Sequence, residues 1–368
     1  MKKSILIFAA LFFCTFVSAQ IVNIPDANFK AYLLADPDIN TNGDNQIQVS
    51  EAINFNGSLE CSMKSIKNLT GIEAFTNAKE LDCSKNQLTS LDISKNTGLI
   101  FLHCGENQIT SLDLSKNISL SNLVCYSNQL TNLELSKNIK LIFVECYDNR
   151  LATLDLSKNT MLWALHCDQN ELTSLDVSKN TALVTLMCYE NQLTNLDVTQ
   201  NIKLASLDCD QNNLMTLDLS KNIYLSALDC RQNLLESLNI KSGYNTNISY
   251  VNLFDNPYLT CIQVDNAAYS TANWTSKDSW ASYNTDCNYL SNNDVQKSGL
   301  RIYPNPVKNS LNIQTPDKLQ KLEIYSANGQ LVKTSFLKET SVANLPKGNY
   351  VAKITTDKGV QTEKIIKE

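Results

Sequence analysis

The chain has 368 residues, a formal net charge of -6, twelve cysteines and two histidines. A mildly acidic chain of this kind is not built to hold nucleic acid. Its first segment, MKKSILIFAALFFCTFVSAQ, sets Lys2 and Lys3 before an apolar run from Ile5 to Val17 and closes on Val17-Ser18-Ala19. That order is a secretory signal peptide spanning residues 1–19, cut after Ala19. The run is too short for a membrane span, and no later segment qualifies. A lipid anchor at Cys14 is disfavoured by bulky Phe13 before it. The mature chain is expected to be exported, with no insertion in a membrane.

Residues 20–56 read as an N-terminal cap. IPDANFKAYLLADPDI has the spacing of a short amphipathic helix. The following NTNGDNQIQVSEA has the spacing of an EF-hand loop, with Asn40, Asn42, Asp44, Gln46 and Glu51 at the ligand places 1, 3, 5, 7 and 12 and Ile47 at the apolar eighth. Asn40 stands where Asp is usual and Asn45 where Gly is usual, so any calcium site here is weak. Two readings stay open: weak calcium binding, or a calcium-hand fold that caps the chain without metal. No other cofactor is expected.

Residues 57–256 repeat. Cysteines stand every 21 residues, at Cys83, Cys104, Cys125, Cys146, Cys167, Cys188, Cys209 and Cys230. The units read roughly L-x-x-L-x-C-x-x-N-x-L-T-x-L-D-x-S-K-N, with degenerate units around Leu59 to Cys61 and Ile248 to Asn256. A fixed period of this length is the signature of a solenoid, because one coil cannot bury its apolar face alone and a stack can. The pattern resembles the short, bimodular class of bacterial leucine-rich repeats (IRREKO), with cysteine in place of the third leucine. The resemblance implies a leucine-rich repeat solenoid of about ten stacked coils. Parallel strands stacked at about 4.8 Å give a rod roughly 50 Å long.

The repeating asparagines, Asn86 to Asn233 and Asn96 to Asn222, are expected to bond the backbone of the turns. In-register cysteines would sit one strand spacing apart, with Cβ atoms wider than a disulfide prefers. Cys61 to Cys230 therefore read as a column of buried thiols. Scattered disulfides and a metal ladder are weaker readings. Asp92, Asp113, Glu134, Asp155, Asp176, Asp197 and Asp218 form a carboxylate column, with a lysine three residues after most of them. The paired columns serve solubility better than cation binding.

No catalytic set stands out. His103 and His166 lie three coils apart, roughly 14 Å on the strand spacing. The protein is expected not to be an enzyme. The residues beside the leucine and the cysteine of each strand point outward, and in the middle coils they are Phe101, His103, Val124, Tyr126, Phe143, Tyr147, His166, Met187 and Tyr189, with Trp163 in the adjoining column. Exposed aromatics inside a polar rim mark a binding surface for a protein or a polysaccharide; the competing reading is that some of these rings pack on one another, as aromatic ladders do in stacked sheets. The alternatives are a structural surface spacer without a defined ligand and a calcium-dependent adhesion factor.

Residues 257–289 read as a C-terminal cap, pinned by a disulfide between Cys261 and Cys287, which fall outside the period. A polar linker follows at 290–298. Residues 299–368 alternate apolar and polar residues between turn dipeptides, which predicts a small β-sandwich. Its motifs are YPNPV (Tyr303 to Val307), NGQ (Asn328 to Gln330), PKGNYV (Pro346 to Val351) and the terminal KIIKE. They resemble the C-terminal sorting domain of the type IX secretion system of Bacteroidetes. That resemblance implies periplasmic transit, recognition by the type IX machinery, and delivery to the cell surface or the medium. The chain as a whole is expected to be mainly β: a small helical EF-hand-like cap, the leucine-rich repeat solenoid, and the C-terminal β-sandwich.

Overall fold

Each repeat contributes a three-residue strand centred on a leucine or valine that is fully buried or nearly so. The computed structural model describes residues 20–287, 301–315, 317–326 and 330–368. The signal-peptide segment with Ala19, the linker 290–298 and Asn328 of the NGQ motif lie outside the described residues. Ten strands form one parallel sheet, beginning with Ser58–Glu60, Glu80–Asp82 and Phe101–His103 and ending with Ser206–Asp208, Ala227–Asp229 and Tyr250–Asn252. Leu81, Leu102, Leu123, Val144, Leu165, Leu186, Leu207 and Leu228 stand opposite one another, so each step along the sheet is one 21-residue repeat. The two end steps pair Leu59 with Leu81 and Leu228 with Val251, and the register holds across the longer spacing. The second half of each repeat closes the coil mostly in turns. Near its end, strands Thr216–Asp218, Ser237–Asn239 and Cys261–Gln263 pair in parallel as well.

What stops each strand is a left-handed residue. Lys85, Glu106, Ser127, Asp148, Gln169, Glu190, Gln211 and Gln232 all have φ between 48° and 54°. For an L-residue that conformation costs roughly 1–2 kcal/mol, and none of the eight is glycine. The turn survives because the next residue is an asparagine that bonds on three sides. Asn149 Nδ2 donates to the carbonyls of Cys125, Cys146 and Tyr147, and its Oδ1 accepts from the amide of Leu130 in the preceding coil. Asn107, Asn128, Asn170, Asn191 and Asn212 repeat the arrangement. The ladder thus runs from side chain to backbone across coils. In the second column, Asn117 donates to Ile93 O and Asn96 O, and the pattern recurs through Asn222. The Oδ1 atoms of that column are buried without a hydrogen-bond partner.

The leucines and thiols of all coils join one apolar core that runs from Val22 to Tyr283. Cys61, Cys83, Cys104, Cys125, Cys146, Cys167, Cys188, Cys209 and Cys230 are buried free thiols. Burial pushes Cys61, Cys104 and Cys146 up to about 12 and the other thiols upward as well. A solenoid end exposes such a core and must be covered. At the N-terminal end this falls to the helices Ala27–Ala35 and Val49–Asn54, which bury Phe29, Leu33 and Ala52, while Phe55 meets Phe75 edge to face at 6.1 Å. Asp26 caps the first helix by accepting from the amides of Asn28 and Phe29. At the other end, Trp274 follows the helix Ala267–Asn273, packs edge to face on Tyr269 and Tyr283, and donates through Nε1 to Ile248 O. Cys261 and Cys287 are disulfide-bonded.

Two compact units are present, Met1–Tyr283 and Asn284–Glu368. The second holds two antiparallel sheets, one of three strands and one of four. Val307, Leu311, Ile313, Leu322, Ile324 and Ile354 lie in its core. Asn305, inside the YPNPV motif, donates to Lys364 O and accepts from the amide of Ile366, tying that motif to the terminal KIIKE strand.

Two outcomes test the stack. An alkylating reagent should label nine thiols in the denatured, unreduced exported chain and leave the same thiols unreacted in the folded chain. Labelling of only a few after denaturation would mean that the repeat cysteines are paired. Asn149→Ala should lower stability by about 2–4 kcal/mol in denaturant unfolding, because buried backbone groups lose their partners. No change would show the ladder to be dispensable.

Candidate functional site

The outward positions of the strands form columns, because neighbours on adjacent coils are one repeat apart. One column runs Asp82, His103, Val124, Glu145, His166, Met187, Asp208, Asp229. Beside it, at the place after each cysteine, stand Ser84, Gly105, Tyr126, Tyr147, Asp168, Tyr189, Asp210 and Arg231. Tyr126 and Tyr147 stack face to face, with centroids 4.5 Å apart and ring planes 4° from parallel. His103 lies against Tyr126 at 5.6 Å and Phe101 against His103 at 6.5 Å. Phe143 meets His166 at 5.8 Å. A Cβ on Gly105 would meet His103 Nε2 and Tyr126 Cε1 at 3.2 Å each, so the missing side chain leaves room for those rings.

The aromatics expected to be exposed are therefore largely half-buried against one another. Val124 is buried outright, at 7% exposure. Met187 and Tyr189 are half-buried at the far edge of the group. Trp163 stands clear of the surface at 53% exposure, with Ile100 and Ile142 exposed in the same adjoining column. The structure brings Phe101, His103, Tyr126 and Tyr147 into one contiguous panel and Phe143 and His166 into a second contact beside it.

Carboxylates line the same face. His166 Nδ1 lies 3.1 Å from Glu145 Oε1, and His103 Nδ1 lies 3.5 Å from Asp82. Asp168 is 2% exposed, and burial holds its carboxyl above the usual range. Burial also raises Asp208, to about 6, and Asp210. Arg231 Nε reaches Asp210 Oδ2 at 2.6 Å. The signal was present in the residue after each cysteine, which changes from Tyr to Asp at 168 and again at 210.

The other expected sites are engaged internally. In the EF-hand-like loop, Glu51 Oε1 accepts from the amides of Thr41 and Asn42 and from the Thr41 hydroxyl, and Oε2 accepts from the amide of Gln48. Asp44 accepts from the amide of Gln46 and from the side chains of Asn42 and Gln48. Asn40 donates to the carbonyls of Leu34 and Asp44, and Gln46 accepts from Lys30 Nζ. The carboxylate column Asp92 to Asp218 caps turns, each acid accepting from the amide two residues on, which holds those carboxyls of the column that are shifted below their usual range.

Residues 301–368 match the family described as the secretion system C-terminal sorting domain. The chain is a leucine-rich-repeat solenoid with a type IX sorting tail. Its repeat fold is similar to that of an internalin (inlF) from Listeria monocytogenes, at 19% identity and a TM-score of 0.55, over 68% of this chain and 81% of that one. The functional domain of InlJ from Listeria monocytogenes, described as including a cysteine ladder, aligns at 21% identity and a TM-score of 0.40, over 95% of this chain and 100% of that one. A leucine-rich repeat protein from Leptospira interrogans aligns at 21% identity and a TM-score of 0.43, over 53% and 62%. No curated protein matches. Among the described residues, no helix is long and apolar enough to cross a membrane. The sorting tail indicates secretion and the cell surface.

The buried acid on this face links it to pH. Since folding raises the pKa of Asp168 above its ordinary 3.8, the folded chain holds that proton more tightly. Its contribution to stability falls as pH rises through that window. The change in melting temperature caused by Asp168→Asn should be more favourable at about pH 7 than at about pH 4. An equal change at both would show that Asp168 ionises freely.

Proposed function

We propose that the protein is an exported, non-enzymatic recognition protein whose strand face, centred on the Tyr126–Tyr147 stack, binds a protein or polysaccharide at or beyond the cell surface. The parallel stack of the two rings carries this reading. Rings held against neighbours on fixed strands lose little freedom on binding, so their contact area converts efficiently into affinity. Trp163, Ile100 and Ile142 add exposed apolar surface beside the panel. The acids and histidines around it form the polar rim that interfaces carry. In this reading the EF-hand-like loop serves as the cap, since donors of the chain itself already face the carboxylates of Glu51 and Asp44.

The test is the exported chain against a variant carrying Phe101→Ser, Tyr126→Ser, Phe143→Ser and Tyr147→Ser, both screened on a protein and glycan array. Folding of the variant is checked by circular dichroism and melting. Binding of the original chain should fall at least about tenfold in a folded variant, as expected for loss of a central aromatic cluster. Equal binding by both chains would turn the reading toward a surface spacer.

A further inference from the structure

We propose that the partner of the strand face is a protein segment that is basic along one side and apolar along the other, with its lysines and arginines over the strand ends and its apolar side chains over the flank before the strands. This rests on the strand-face reading above and narrows the partner from protein or polysaccharide to a cationic polypeptide. The first support is an exposed apolar ridge. Ile100, Ser121, Ile142 and Trp163 stand in one column, each amide donating to the carbonyl one repeat before it at 2.8 or 2.9 Å. Ile118 and Ile139, one repeat apart, and Met161 lie just before that column in the chain. The four isoleucines, Met161 and Trp163 are 39% to 56% exposed. Ile100 and Ile142 lead directly into Phe101 and Phe143, so the ridge and the aromatic panel form one surface. A contiguous apolar patch marks where another protein is received. A polysaccharide has no aliphatic side chains to fill it. On the panel, Tyr126 has Tyr147 against one side and His103 against the other, which leaves no free face there for a sugar ring.

The second support is a local shortage of positive charge. In the three columns at the strand ends, followed coil by coil from Asp82 to Gln232, the only lysine and arginine are Lys85 and Arg231. Both are engaged within the face: Lys85 Nζ lies 3.3 Å from Glu106, and Arg231 Nε lies 2.6 Å from Asp210. Among the described residues, no lysine or arginine pairs with Glu145, Asp148, Glu190 or Asp208. Asp148 and Glu190 are exposed, and Glu145 and Asp208 are half-buried. The whole chain carries 31 lysines and arginines to 37 acids, so the imbalance belongs to this face and not to the composition. Arg231 shows how the face receives a guanidinium, which lies against Asp210 and within 3.8 Å of Asp229 while its side chain stays 44% exposed. A fixed field of this sign draws in cationic partners and repels nucleic acid, anionic lipid and acidic glycans. The apolar ridge lies at the start of the strands and the acids at their ends, so the partner carries its two chemistries side by side.

Fluorescence anisotropy on the exported chain compares a synthetic amphipathic peptide of leucine and arginine, the same peptide with glutamate for arginine, and an uncharged oligosaccharide. The arginine peptide should bind at least about tenfold more tightly than either of the others. Raising salt from about 0.05 M to about 0.5 M should weaken it, because screening shortens the reach of exposed charges. Glu145→Gln with Asp148→Asn and Glu190→Gln should lower its affinity at least about tenfold. Ile142→Ser with Trp163→Ser should lower it about as far and leave the salt dependence in place. Asp113→Asn with Asp155→Asn and Asp176→Asn, which removes the same charge from the turn column outside this face, should leave the affinity unchanged. Circular dichroism checks that each variant folds, and the comparison of the three probes on the original chain needs no variant. The proposal is overturned if the glutamate peptide or the oligosaccharide binds as tightly as the arginine peptide, or if both triple variants lose affinity equally. A glycan or acidic protein that binds the original chain on the array and not the panel variant would overturn this proposal and leave the strand-face reading standing. Equal binding of every array ligand by that panel variant would remove both.

Discussion

An asparagine side chain that bonds the backbone of the coil before it is the interaction on which this protein depends. Each such amide satisfies carbonyls of its own turn and of the preceding one, and its oxygen takes an amide hydrogen from that preceding coil. Buried backbone groups must find partners, and a coil closed mostly by turns has few of its own to offer. The amide supplies them across the gap. It thereby locks the spacing, so that leucine falls on leucine and thiol on thiol through the whole core.

Everything on the strand face inherits that lock. A lateral contact between coils is a contact between residues one repeat apart. Tyr126 can lie flat on Tyr147 only because the sheet holds their Cα atoms in register. The same spacing gathers Asp208 and Asp229 into one acidic bay. A single geometry therefore yields an aromatic panel in the middle coils and a carboxylate cluster towards the end. Which chemistry appears depends on the residue the sequence places in that column.

Much of the fold was legible because its signal is repeated. The leucine positions, the buried thiols and both asparagine columns follow from a period that any one unit states weakly and eight units state together. The tail was legible from Asn305 and its neighbours, whose motif turns out to bond the terminal strand. The candidate face was legible only in outline. Phe101, Tyr126, Phe143 and Tyr147 were identifiable as outward residues able to stack, but not which rings would meet, nor that Val124 would be buried. Glu145 and Asp168 were unremarkable in the sequence, since an acid's burial depends on what the neighbouring coils place over it.

By itself, the sequence determined the period, the alternation of inward and outward residues, and the sorting motifs of the tail. These are properties of single units and short motifs, set by hydrophobic spacing and local turn chemistry. Tertiary structure alone decided that Lys85, Glu106, Gln169 and their equivalents adopt a left-handed backbone, since nothing in those side chains asks for it. It also decided which outward groups touch. Both outcomes come from stacking: a strained turn is tolerated because the asparagine that follows it ties it to the coil before, and distant residues become neighbours only when the coils are laid one on another.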